Sequence, residues 1–437
     1  MCWRARRGRA CPSRERAPSG RRSPAALSRG DAVTRLRRIV VLGAGLAGAT
    51  AAATLRDRGF DGDVTLVGEE RRPPYERPPL SKGFLRGEVT FDDALVRPHG
   101  HYEGCGIALR LATAATAIDA GRREVQLAGG ELLPYDVLLL ATGARNRRPP
   151  IPGIDLAGVH QLRTADDAER IRADAEPGRH AVVAGMGFIG CEVAASLRTM
   201  GLDVTAIDSG SVPLGRVLGL EVGSALESLH ADHGVRILHG DRVDGFHGVE
   251  RVEGVTTSRG RSIACDLVVA GVGVVPNAEL ASTAGVAASD GVDVDGSFRT
   301  TAPGVFAVGD VANHLHPGFG RIRVEHWRNA AAQGRAVAAM MLGDRTPYAE
   351  TPWFYSDQYG RRLEYAGYHR GWDRLVVRGD VAAGRFLAFY LKDGVAEAVV
   401  GIDRGPDVRR ATGIVASRRP VDPALLADEE VDLRSLG

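Results

Sequence analysis

The sequence predicts an α/β protein with two similar strand–turn–helix units and a smaller α+β domain at the C-terminal end. Three observations carry this prediction. Gly43-Ala44-Gly45-Leu46-Ala47-Gly48 directly follows the apolar run Ile39-Val40-Val41-Leu42. Some 140 residues later, Gly185-Met186-Gly187-Phe188-Ile189-Gly190 follows Ala181-Val182-Val183-Ala184 in the same way. Beyond about residue 347 the texture changes to aromatic, alternating segments such as Phe386-Leu387-Ala388-Phe389-Tyr390-Leu391, the period of an antiparallel sheet.

Length and composition set the frame. A chain of 437 residues holds two or three domains with cores of their own. No apolar run reaches the ~18 residues of a membrane span. The net charge of +2 hides a split: residues 1–38 carry 12 arginines against Glu15 and Asp31, so the rest of the chain is −8. The basic segment 1–37 lacks apolar periodicity and is read as a disordered extension, an over-extended gene start in preference to a targeting peptide or a nucleic-acid tail. The acidic body shows no nucleic-acid footprint. Lys82 and Lys392 are the only lysines, a skew expected of a high-GC genome. Cys2, Cys11, Cys105, Cys191 and Cys265 form no CxxC pair. That spacing excludes zinc, iron–sulfur and dithiol motifs, suits a reducing cytoplasm, and leaves each thiol a small buried hydrophobe.

The elements follow in order. Strand, glycine turn, a helix over 47–58 stopped by Gly59, and the strand Asp63–Val67 make the first unit. Residues 71–83 form a proline-rich loop held extended by successive prolines. Short strands over 107–140 close on Ala141-Thr142-Gly143-Ala144, and Pro149, Pro150 and Pro152 mark a linker. The second unit starts near His180 and reaches Asp208; further strands end at Gly273. The segment 300–311 is a turn, a buried strand and an acidic tip, followed by an Ala-rich helix over about 325–342. His314 and His316 have no partner in the pattern and are read as surface residues.

The glycine turns carry the chemistry. In a dinucleotide fold the first glycine permits the tight turn, the second lets the backbone approach a pyrophosphate, and the third lets helix and strand pack closely. The helix N-terminus then offers free N–H groups to phosphate. A carboxylate about 20 residues on accepts ribose hydroxyls. Glu69 fills that place in the first unit and Asp208, 18 residues past Gly190, in the second. A carboxylate at Asp208 repels a 2′-phosphate, which favours NADH over NADPH, although Arg216 lies close enough in sequence to reach one.

The chain resembles the FAD- and NADH-using ferredoxin reductases of bacterial Rieske dioxygenase and cytochrome P450 systems, of putidaredoxin and rubredoxin reductase type and glutathione-reductase-like fold. Pro74-Tyr75-Glu76-Arg77-Pro78-Pro79-Leu80-Ser81-Lys82, Ala141-Thr142-Gly143, Val305-Phe306-Ala307-Val308-Gly309-Asp310, Glu325-His326-Trp327-Arg328-Asn329-Ala330 and Pro352-Trp353-Phe354-Tyr355-Ser356-Asp357-Gln358-Tyr359 carry the resemblance over about 38–420. It implies a discontinuous FAD-binding domain over 38–146 and 275–345, an NAD-binding domain over 147–274, and a C-terminal reductase domain over 346–437. It implies FAD on Gly43, Gly45, Ala47, Gly48 and Glu69, with Ala115, Arg163, Asp310 and Trp327 also touching it and Lys82 near the flavin N5. It implies NADH on Gly185, Gly187, Gly190, Asp208 and Gly273, with Glu192 near the nicotinamide and able to pair with Lys82. Lys82 and Glu192 are the catalytic candidates, because reduction builds negative charge on the flavin and a nearby ammonium stabilises it. Relatives that handle thiols carry cysteine in the stretch occupied here by prolines, so thiol chemistry is not expected.

The function so implied is hydride transfer from NADH to FAD, then single electrons to a small iron–sulfur protein, a [2Fe–2S] ferredoxin or a rubredoxin, serving an oxygenase. The expected molecule is cytoplasmic, a monomer or homodimer, without nucleic-acid or membrane partners. Two alternatives stay open at this point: an NADH oxidase, quinone reductase or monodehydroascorbate reductase with no protein acceptor, and a redox-sensing flavoprotein akin to apoptosis-inducing factors. The aromatic stretch 353–359 is read either as an interdomain core or as a wall facing the flavin.

Overall fold

A computed structural model describes residues 36–437. The basic segment expected to be disordered lies almost wholly outside the described residues. Two five-stranded parallel sheets form the two nucleotide-fold units. In the first, Val305–Ala307, Val137–Leu140, Arg38–Leu42, Asp63–Val67 and Ile107–Arg110 lie side by side in that order. In the second the order is Arg236–His239, Asp203–Asp208, His180–Ala184, Leu267–Ala270 and Val159–His160. Continuous β-branched and aliphatic runs suit strands covered on both faces. Val41, Leu66, Leu138 and Leu139 in one sheet and Val182, Val183 and Val268 in the other are fully buried.

Each central strand feeds a glycine turn and then a helix, Leu46–Asp57 in the first unit and Phe188–Thr199 in the second. The chain leaves the first unit through the strand Ala144–Asn146 and re-enters it through Val274–Pro276, and these two strands pair antiparallel. The expected Ala-rich helix is Trp327–Met341; its Gly334 lies so close to the first glycine helix that an added Cβ would sit 2.4 Å from the Ala47 carbonyl oxygen.

The C-terminal sheet is antiparallel throughout, with Trp353–Gln358, Arg361–Gly367, Val395–Ile402, Arg385–Lys392 and Arg374–Asp380 in that order and the helix Gly405–Ser417 packed on it.

Three expectations need correction. The prolines of the 71–83 loop do not hold it extended throughout: Pro78–Ser81 winds into a 3₁₀ turn with Pro78 at its first position, where proline's fixed φ fits and its missing N–H costs nothing. His314 and His316 are not surface residues but 0% and 4% exposed. They lie on one face of the strand Ala312–His316, against Phe298, Tyr348 and Phe319, while Leu315 between them is 48% exposed. Tertiary packing has inverted the face that polarity alone assigns. Cys191 and Cys265 are buried as expected, but Cys105 is only partly so.

Candidate functional site

The two glycine turns open into one continuous cavity of about 1580 Å³. In both turns the three glycines divide the same labour. Gly43 and Gly185 hold left-handed φ of +110° and +96°, where an L side chain is strained, and an added Cβ would meet the carbonyl oxygens of Ala141 and Gly271. Gly45 and Gly187 have open space where a Cβ would stand, on the cavity wall. Gly48 and Gly190 press on their own turns: a Cβ would lie 2.1 Å from the Gly43 oxygen and 1.9 Å from the Gly185 oxygen. Two cradles shaped for a pyrophosphate therefore face one cavity, and the residues present fit two dinucleotides.

The acids that follow differ. Asp208 ends its strand with both carboxylate oxygens engaged, accepting from Met186 N–H at 2.5 Å and Gly210 N–H at 2.6 Å. Glu69 lines the cavity with its side chain exposed and makes no hydrogen bond among the described residues. Ala47, Ala115 and Gly273 also line the cavity.

Lys82 and Glu192 meet where the two halves join. Lys82 Nζ lies 2.5 Å from Glu192 Oε2, with side chains 15% and 5% exposed. Lys82 follows the 3₁₀ turn directly and also donates to the Pro78 carbonyl at 3.2 Å. Glu192 is the fifth residue of its helix, just past the first turn. Ser81 Oγ donates to the same Glu192 oxygen at 2.5 Å, and Ser356 Oγ donates to the other at 2.6 Å. Removing either partner of so enclosed a pair leaves a buried uncompensated charge.

The loop bearing Lys82 is clamped from the second unit. Arg72 contacts Asp166 at 2.7 Å and Glu169 at 2.5 Å. Tyr75 donates to Glu70 at 2.5 Å and accepts from Ala165 N–H at 3.1 Å. Arg163 precedes the Thr164–Asp167 capping box that starts the helix Ala165–Asp174. The structure joins Arg163 to Asp310 by a 2.7 Å ion pair, a link that the sequence pattern left unstated. Gly309, beside Asp310, donates its N–H to the buried Gln333 side chain at 2.8 Å.

Aromatic rings close the far wall. His326 stacks on Phe354 at 3.8 Å, and Phe188 meets Phe354 edge-on at 4.8 Å. Burial pushes His326 down to about 4. In the stretch 353–359, Phe354 and Tyr355 line the cavity, while Phe354 also packs into the core shared with the second unit. Trp327 starts its helix with a buried, unpartnered indole N–H. The indole lies near enough to lower the Glu76 carboxyl without reaching hydrogen-bonding geometry, and burial outweighs it, raising Glu76 to about 7.

Residues 37–334 match the family described as pyridine nucleotide-disulphide oxidoreductase, and 353–437 match that described as reductase C-terminal. The chain belongs to the pyridine nucleotide-disulphide oxidoreductase family. Among its members, rhodocoxin reductase of Rhodococcus erythropolis is 39% identical over 91% of this chain and 93% of its own length. The anthranilate 1,2-dioxygenase system ferredoxin–NAD(+) reductase component of Burkholderia cepacia is also 39% identical, over 91% and 98%. The putidaredoxin reductase–putidaredoxin covalent complex matches with a TM-score of 0.88 at 37% identity, over 92% of this chain and 98% of the other. No cysteine occurs in the Lys82 loop, and burial pushes the Cys191 thiol far up, away from the accessible thiolate that thiol chemistry needs.

Proposed function

We propose that this chain is an NADH-dependent, FAD-containing reductase of a small iron–sulfur protein, a [2Fe–2S] ferredoxin or a rubredoxin, that serves an oxygenase. The observation that carries the reading is the single cavity joining two pyrophosphate cradles across a buried lysine–glutamate pair. FAD, when bound, supplies the change from two-electron to one-electron transfer.

The chain's own residues do the rest. The first cradle, with Ala47, Glu69, Ala115, Arg163, Asp310 and Trp327, holds FAD; the second, with Asp208 and Gly273, holds NADH. Lys82 presents a fixed ammonium to the reduced ring, and Glu192 with Ser81 keeps that ammonium from swinging into solvent. Phe188, His326 and Phe354 exclude water from the junction. The domains divide at 38–146 with 275–345, 147–274, and 346–437. Cysteine spacing without a CxxC pair suits the cytoplasm.

The partner meets an aromatic and cationic patch at the cavity mouth. Tyr355 lies 6.0 Å from Trp353 and 6.5 Å from Trp327. The Arg328 guanidinium sits 4.8 Å over Trp353 and that of Arg362 4.6 Å over Tyr355. Arginine over an aromatic ring is an interface hot-spot composition; Arg362 is paired with Asp357 at 2.7 Å, so the charge that suits an acidic protein comes from Arg328, even though the chain body is net acidic.

The test is anaerobic. NADH bleaches the reconstituted holoprotein, and cytochrome c reduction rises steeply when ferredoxin or rubredoxin is added. Lys82→Ala slows flavin reduction by roughly 10²-fold. Full turnover with oxygen or quinone alone overturns the reading in favour of an oxidase.

A further inference from the structure

Glu192 is the end of a longer buried chain, and the order of its donors follows from elementary hydrogen-bond chemistry. A carboxylate only accepts, so the Ser356 hydroxyl spends its proton on Glu192 Oε1. Towards Gln358, 3.3 Å away, Ser356 Oγ is then the acceptor, and the amide presents Nε2. That turns Gln358 Oε1 to His230, 2.9 Å from its Nε2, which must carry a proton. In the neutral ring Nδ1 is left to accept from the Tyr359 hydroxyl at 3.2 Å. Every bond points the same way, from Tyr359 through His230, Gln358 and Ser356 to Glu192. An amide in the middle cannot hand a proton along, so the chain polarises its end group and conducts nothing.

Two further features single it out. Ser356 and Gln358 occupy the inward face of the strand Trp353–Gln358 at 1% and 3% exposure, and His230 is wholly buried. Polar side chains in such a core are tolerated only when every partner is supplied. Tyr359 holds a left-handed φ of +51° in the two-residue hairpin turn Tyr359-Gly360, a place suited to asparagine or glycine. It keeps that conformation while bonded to His230 and stacked on His233 at 3.7 Å. Strain held by its surroundings points to a positional requirement.

We propose that Ser356, Gln358 and His230 are positioning residues: Ser356 and Gln358 of the C-terminal sheet, backed by His230 of the helix Gly215–Asp232, fix the Glu192 carboxylate and through it hold the Lys82 ammonium towards the flavin. The proposal rests on the hydride-transfer reading above.

The test uses FAD-loaded protein with Ser356→Ala, Ser356→Thr, His230→Phe and His230→Gln. It follows NADH bleaching without air, the midpoint potential of the bound flavin, and FAD content. Ser356→Ala should slow bleaching about tenfold, the loss expected for one hydrogen bond to a charged group, and make the flavin harder to reduce. Ser356→Thr, which keeps the hydroxyl, should stay within about twofold of wild type. His230→Phe should shift potential and rate as Ser356→Ala does, and His230→Gln, which keeps a donor near the Nε2 position, less so. Equal losses in the Ala and Thr variants, or a wild-type potential in both Ser356→Ala and His230→Phe, overturn the proposal. Should Ser356→Ala fail to fold, a wild-type potential in His230→Phe alone overturns it. A wild-type protein that NADH does not bleach overturns instead the reading on which it rests.

Discussion

The two glycine helices start alike and diverge two residues after their third glycine. In the first unit that position is Thr50, 9% exposed and 3.1 Å from where a Cβ on Gly334 would stand. In the second it is Glu192, equally enclosed but ringed by Lys82, Ser81 and Ser356. The first helix is covered by another helix of small residues, Trp327–Met341; the second is covered by polar side chains from the 3₁₀ turn and the C-terminal sheet. One frame thus does two jobs. Where the neighbour is apolar the unit only grips, and where the neighbour supplies hydrogen bonds it can also carry a buried charge into the reacting space.

The hardest way to break this comparison is at the third glycines. Gly48→Ala and Gly190→Ala each drive a methyl into a backbone oxygen, at 2.1 Å and 1.9 Å. Gly48→Ala should abolish FAD retention. Gly190→Ala should leave a yellow protein whose NADH affinity falls more than about 100-fold. Absorbance after gel filtration and anaerobic NADH titration read both; a Gly190→Ala protein that loses its flavin as well would show that the units do not act separately.

Acid stability sharpens the comparison through a buried histidine taken from each unit. Burial lowers both His230 and His314 to about 4. The unfolded chain therefore binds more protons between about pH 6.5 and 4, and stability present above 6.5 is lost as pH falls through that window. Each removes about 1–2 kcal/mol of that stability by pH 5. His314→Phe and His230→Phe should each flatten the acid limb of a melting-temperature curve. Glu76, raised to about 7, opposes them, since it favours the folded state as pH falls from 7 towards 4.5.

The smallest contrast lies in the acids. Asp208 is bonded to two backbone N–H groups and cannot turn away, whereas Glu69 is unpartnered and exposed. Asp208→Ala should raise the NADH KM about tenfold, while Glu69→Ala should weaken FAD only two- to threefold, or about 0.5 kcal/mol. Steady-state kinetics and flavin dissociation measure the two; equal effects would erase the distinction.

Local pattern made most of this legible. Glycine spacing marked both turns, period-two alternation marked the last sheet, and the scarcity of lysine, one of only two in an arginine-rich chain, drew attention to Lys82. Ser356, 164 residues from Glu192, carries no local signal: its partner is set by how the C-terminal sheet lands. The histidines of Ala312–His316 misled for the same reason, because which face of a strand is buried depends on the neighbour that arrives. The 3₁₀ turn at Pro78 was hidden because proline suits both an extended segment and a first helical position.

The antiparallel pair Ala144–Asn146 and Val274–Pro276 has a consequence for assembly. Outgoing and returning chain cross the border at one doorway, about 5 Å apart. Everything between them is topologically a cassette: each sheet can complete its own hydrogen bonding without threading through the other.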